Sequence, residues 1–179
     1  MGTSAGGLQA LSTIMEALPE NFPMPIVVVQ HRSKDERTLL EEILQTKSKM
    51  KIKQADEKEK IENGTVYFAP PDYHLLIERD RTFSLSSDER VNWSRPSIDV
   101  LFESAAGVYK NKLVAIILTG ANSDGAMGIK KVREFGGTTL AQQPETAQHP
   151  EMPNAAIETN CVGHIFTLEK IKDFLLALN

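Results

Sequence analysis

Cysteine occurs once in this 179-residue chain, at Cys161, which excludes an intrachain disulfide and a thiolate metal cluster. Beside Val162, at what reads as a strand entrance, it suits a small buried hydrophobe. The chain also lacks a signal-peptide pattern and any apolar run long enough to span a bilayer, so the cytoplasm is the expected compartment and membrane insertion is not expected. Excess positive charge is missing too. Twenty Lys and Arg against 24 Asp and Glu leave a net charge of −4, so the basic face of a general nucleic-acid binder is not there. No His-Glu-x-x-His and no carboxylate cluster points to a metal. A P-loop needs Gly-Lys-Ser/Thr where Leu8 stands, and a dinucleotide site needs a Gly-x-Gly-x-x-Gly that Gly2-Thr3-Ser4 does not supply, so no cofactor is expected.

What remains is ordinary globular material, 41% hydrophobic and 25% charged, with no internal repeat and no linker. A single domain over residues 1–179 is the expectation. Its β-branched and apolar runs alternate with helical periodicities. Ile26–Val29, Lys51–Gln54, Thr65–Ala69, Leu113–Leu118, Thr138–Ala141 and Val162–Phe166 read as strands. Leu8, Leu11, Ile14, Met15 and Leu18 share one helical face. A helix after the capping box Ser33-Lys34-Asp35-Glu36 turns Leu39, Leu40, Ile43 and Leu44 inward. Ser97 reads as the cap of a helix carrying Ile98, Leu101, Phe102 and Ala105 inward, and a later helix buries Ile129, Val132 and Phe135. Pro153 starts a short helix, and Leu168–Leu178 reads as a final helix. This alternation predicts an α/β fold, a doubly wound and mostly parallel sheet with helices on both faces. His74–Glu78 and Thr82–Leu85 interrupt it as an antiparallel hairpin excursion.

Ligands of such sheets sit beyond the carboxyl ends of the strands. The opening Gly2-Thr3-Ser4-Ala5-Gly6-Gly7 runs into the first helix. A Gly-x-Ser-x-Gly turn there can present a serine nucleophile, an ordinary N-cap or a phosphate cradle. A nucleophile needs a base and an acid that orients it. Of four histidines, His31 follows a buried strand on the same edge, His149 lies on a loop within reach, and His74 and His164 sit inside strands. For the acid, Asp124 lies between a strand and a helix, where it also fits a helix cap or an Asp-Gly turn. Asp99 is the alternative. If Asp124 were only a cap, Asn would replace it with little loss of stability.

With Ser4, His31 and Asp124 in that order, the sequence resembles the catalytic domain of the chemotaxis receptor-glutamate methylesterases, the CheB family. The likeness extends over nearly the whole chain, on Gly2–Gly7, Gln30-His31, Ala69-Pro70, Arg95–Phe102, Leu118-Thr119-Gly120, Asp124-Gly125-Ala126 and Met152-Pro153. It implies a Ser4-His31-Asp124 triad with backbone oxyanion donors at Ala5 and Ala121. It implies hydrolysis of glutamate γ-methyl esters on chemoreceptor helices or a similar signalling protein, and deamidation of receptor glutamines. A serine esterase or amidase with another substrate, and a noncatalytic receptor-binding adaptor, are the competing expectations. Many members of the family have Thr where Ala5 stands and Met where Ala121 stands. The usual receiver domain is absent from this sequence, which points to a stand-alone form without phosphorylation control within the chain, and the strand expected before Gly2 is missing.

Overall fold

The computed structural model describes residues 1–32 and 39–178. In chain order the elements are β1 (Gly2–Thr3), α1 (Gly7–Met15), β2 (Ile26–Gln30), α2 (Leu40–Gln45), β3 (Lys51–Gln54), β4 (Thr65–Phe68), β5 (His74–Ile77) and β6 (Phe83–Ser86). They continue with α3 (Ile98–Tyr109), β7 (Val114–Ile117), α4 (Ala126–Glu134), β8 (Thr138–Gln142), α5 (Glu151–Glu158), β9 (His164–Phe166) and α6 (Leu168–Leu176). Seven strands form one parallel sheet in the order β3-β4-β2-β1-β7-β8-β9. The chain winds outward from β1 first through β2 and then, after the hairpin, through β7. The winding therefore reverses beside β1, which places the residue after it at the switch point where α/β sheets bind ligands.

Each sheet face buries its own core. Leu11, Ile14, Met15 and Leu18 meet Val28, Val66, Ile116 and Ile171 on one side. On the other, Ile98, Leu101, Phe102 and Ala105 of α3 and Ile129 and Val132 of α4 pack on Val29, Ala115 and Ile117. Alternate residues of one strand thus serve opposite layers, the pattern of a strand buried on both faces. The expected excursion is the separate antiparallel pair β5–β6, registered from His74↔Ser86 to Ile77↔Phe83.

Several local expectations are corrected. Leu39 and Ile43 are exposed while Leu40 and Leu44 are buried, because α2 is only six residues long and offers one narrow apolar stripe. Leu8 is exposed rather than part of the face of α1 that packs inward. Phe135 follows the last turn of α4 and lies partly exposed under the Lys131 ammonium instead of in the core. Cys161 is half-buried against the α3–α5 layer. Ser97 accepts no capping hydrogen bond for α3. The expected capping box at Ser33–Glu36 falls outside the described residues. β1 has two residues between neighbours of five and four, and the Met1 ammonium donates to Val27 O at 2.7 Å. No helix among the described residues is long and apolar enough to cross a membrane.

Candidate active site

Ser4 is the first residue past β1, and its backbone is held from three directions. Its N–H donates to Thr119 O at 3.0 Å, and its carbonyl accepts from Gly7 N at 2.9 Å and from Gln30 Nε2 at 2.9 Å. Two threonines tie the flanking turns together: Thr3 Oγ1 donates to Thr119 O at 2.8 Å, and Thr119 Oγ1 donates to Ala5 O at 2.9 Å. The turn requires glycine at Gly6, whose φ of +80° is left-handed, before α1 starts at Gly7. Gly120 is required for a different reason. A Cβ there would lie 3.0 Å from Ser4 Cβ and 2.6 Å from Met152 Cε, so its bare backbone lets the β7 loop close against the serine. Among the described residues the Ser4 hydroxyl has no hydrogen-bond partner, and it faces a cavity of about 750 Å³ that His31, Gln30, Leu39 and Gln148 also line.

His31 leaves β2 on the neighbouring strand, its N–H bonded to Thr3 O at 3.0 Å. Gln30 Nε2 donates to the carbonyls of both Ser4 and His31, so one half-buried amide sets the spacing of the two turns. The ring is nearly buried, and its Nε2 lies 2.8 Å from Asp124 Oδ2. A carboxylate at that distance fixes the neutral ring as the Nε2–H tautomer and leaves Nδ1 with the lone pair. The other three histidines are placed otherwise. His74 is buried in β5, bonded to Glu89 O and to Ser97 N–H, and His164 stacks on Phe166. His149 contributes its backbone, which accepts from Gly120 N–H at 3.0 Å and donates to Thr119 Oγ1 at 2.9 Å.

Asp124 corrects a sequence-based alternative. It does not cap its own helix, whose N-cap is Gly125. Fully buried, it caps α3 from across the site: Oδ2 accepts from Ile98 N–H at 2.6 Å, and Oδ1 accepts from Asp99 N–H at 3.2 Å, Ser97 Oγ at 2.8 Å and Asn92 Nδ2 at 3.0 Å. Ser97, the expected cap, instead donates to this carboxylate. Burial pushes the Asp124 carboxyl up, but the bonds from His31, Ile98 N–H and Asn92 outweigh it and hold the group below the usual carboxylate range. The positive end of α3 works in the same direction. Asp99 shows the opposite balance. Burial, aided by the charge of Asp124, drives it above the usual range against the bond from Gly128 N–H. Asn92 Nδ2 sits between the two carboxylates, 2.7 Å from Asp99 and 3.0 Å from Asp124.

The structure therefore brings Ser4, His31 and Asp124 to one sheet edge, beyond the ends of β1, β2 and β7, pairs His31 with Asp124, and leaves Asp99 behind Asp124 rather than beside His31. Ala5 and Ala121 flank the Ser4 turn on the two loops, and among the described residues neither backbone N–H donates a hydrogen bond. Sequence reasoning missed Asn92, Ser94 and Asn122. Asn122 Nδ2 lies 3.2 Å and Ser94 Oγ 3.5 Å from His31 Nδ1. Their only local signal was an Asn two residues before Asp124 and a polar loop leading to Ser97. No group of three His, Cys, Asp or Glu among the described residues is arranged to hold a metal.

Comparison with known proteins assigns a family over nearly the whole chain. A family model described as CheB methylesterase matches residues 1–175. A relative from Leptospira interrogans, named as a putative protein-glutamate methylesterase/protein-glutamine glutaminase, is 52% identical over all of this chain and 93% of its own length. The protein-glutamate methylesterase/protein-glutamine glutaminase of Thermotoga maritima is 37% identical, matched over 99% of this chain and 53% of its own. The crystal structure of the Thermotoga maritima CheB methylesterase catalytic domain superposes with a TM-score of 0.96 at 37% identity, over 99% of this chain and 96% of that one. By sequence and by fold, the chain belongs to the CheB methylesterase family.

Proposed function

We propose that this chain hydrolyses γ-methyl esters of glutamate side chains on chemoreceptors and deamidates receptor glutamines, with Ser4 as nucleophile, His31 as base and Asp124 as the acid that orients it. The observation that carries this reading is the 2.8 Å contact between His31 Nε2 and the buried, ionised Asp124, past the strand next to that of Ser4, whose hydroxyl has no partner among the described residues. With Nε2–H given to Asp124, only Nδ1 is left to take the Ser4 proton. Attack of Oγ on the ester carbonyl forms a tetrahedral oxyanion, for which the free N–H groups of Ala5 and Ala121 are the available backbone donors. Collapse expels methoxide, which takes the proton from His31 and leaves as methanol. Water, activated by the same nitrogen, then cleaves the acyl-enzyme to glutamate and free Ser4. A glutamine substrate follows the same course and loses ammonia. A single domain working in the cytoplasm on receptor helices completes the proposal.

Family membership and the matched names of the relatives support the substrate. Labelling by a fluorophosphonate tests the chemistry: one adduct is expected, on Ser4, abolished in Ser4→Ala and strongly slowed in His31→Ala. An unlabelled, folded protein would contradict the catalytic reading and favour an adaptor. Labelling without methanol release from a methylated receptor would favour another ester or amide.

A further inference from the structure

We propose that Asn122 is a positioning residue that parks the base of this site, its side-chain amide occupying the His31 nitrogen through which the Ser4 proton must pass; the inference rests on the catalytic reading above. Asn122 is held at both ends of its amide. Its Oδ1 accepts from Asp124 N–H at 3.0 Å, and its Nδ2 lies 3.2 Å from His31 Nδ1. The first bond settles which end is which, because the reversed amide would set a donor against the Asp124 N–H and an acceptor against the ring lone pair. Since Asp124 Oδ2 already takes Nε2–H, the bond from Asn122 is donated into the lone pair of Nδ1. Ser94 Oγ reaches the same nitrogen only at 3.5 Å.

The consequence is a base with no vacant position. The donor on Nδ1 stands where the serine proton would arrive. This agrees with the Ser4 hydroxyl, which has no partner among the described residues. Among the described residues the charged groups around the ring lie elsewhere: Asp124 on the Nε2 side, Asp99 behind it across Asn92, and Arg32 next in the chain, whose guanidinium bonds Glu41 of α2 and Ala69 O. Rotation of the Asn122 side chain gives up both of its hydrogen bonds, to His31 Nδ1 and from Asp124 N–H, and uncovers Nδ1. Asn122 thus sets how readily the site becomes competent without touching substrate.

Two variants separate this role from that of a loop brace. Asn122→Asp keeps an acceptor for Asp124 N–H but brings a carboxylate oxygen to Nδ1. NMR titration of His31 should then move up by about one pH unit or more, and Ser4 labelling by a fluorophosphonate at pH 7 should fall about tenfold. Asn122→Ala removes the donor. At pH 9 labelling should quicken about fivefold, the factor that one net hydrogen bond of ordinary strength represents. An unchanged His31 titration in the Asp variant, or labelling of the folded Ala variant at or below the wild-type rate, overturns the proposal. Absence of labelling in all three proteins sinks the catalytic reading and this inference together; a shift in the His31 titration shows in that case that the contact exists but guards no base.

Discussion

Replacing Asp124 by Asn tests whether this carboxylate braces the fold as well as the base. Its oxygens accept five hydrogen bonds: from Ser97 Oγ, Asn92 Nδ2 and Asp99 N–H on one side, and from Ile98 N–H and His31 Nε2 on the other. An amide has one acceptor. If its oxygen keeps the first set, its NH₂ faces the N–H of Ile98, a residue with no exposed surface. An unsatisfied buried donor costs roughly 1–3 kcal/mol, and loss of the charge at the start of α3 adds roughly 0.3–1 kcal/mol. A loss of about 1–4 kcal/mol follows, which for a chain of this size lowers Tm by about 3–16 °C. His31 must also turn to its other tautomer to accept from the amide, which leaves Nδ1 protonated and useless as a base. Turnover should fall about 10⁴-fold, as in serine proteases that lose this charge. The pH dependence gives a second readout. The Asp124 pKa is depressed in the folded state, so its contribution is fully present above the ordinary carboxylate value of 3.8 and is lost as pH falls below it. Urea unfolding from pH 7 to pH 2.5 should show a shallower acid limb in the variant. Stability within about 0.5 kcal/mol of wild type at pH 7, with the acid limb unchanged, would refute the reasoning.

Two more substitutions probe the loops around the site. In the turn Val91–Ser94, Asn92 and Trp93 both have positive φ, and Trp93 is 93% exposed, so Trp93→Gly removes left-handed strain with little packing to lose. It should raise stability by about 1 kcal/mol in urea melts and leave labelling of Ser4 unchanged. Gly120→Ala forces a methyl against Ser4 Cβ and the end of Met152. It should cost about 1–3 kcal/mol and slow Ser4 labelling by more than tenfold, because the β7 loop can no longer close on the serine.

The sheet was legible because its strands are dense β-branched or apolar runs, such as Ile26–Val29 and Leu113–Leu118, separated by helical periodicities. Once those alternate, the parallel winding and the edge shared by Ser4, His31 and Asp124 follow from general topology. Short and marginal elements were harder to read. The stripe of α2 is too narrow for Leu39 and Ile43 to be buried with Leu40 and Leu44, and Phe135 continues the period of α4 beyond the point where the core ends. The strand boundaries of the hairpin moved by one residue for the same reason. Polar tertiary contacts left no pattern at all. A capping residue 26 positions away from the N–H it satisfies, as Asp124 is from Ile98, cannot be found by looking for a local cap. Asn92 and Asn122 look like turn residues, and only the fold brings them to Asp124 and His31.

Methanol release from a chemoreceptor bearing labelled glutamate methyl esters tests the central claim most directly. Wild-type protein should release methanol catalytically, and Ser4→Ala should reduce the rate by roughly 10⁴-fold while remaining as stable as wild type, since the Ser4 hydroxyl bonds to nothing among the described residues. Release at an undiminished rate from the Ser4→Ala protein would contradict the account.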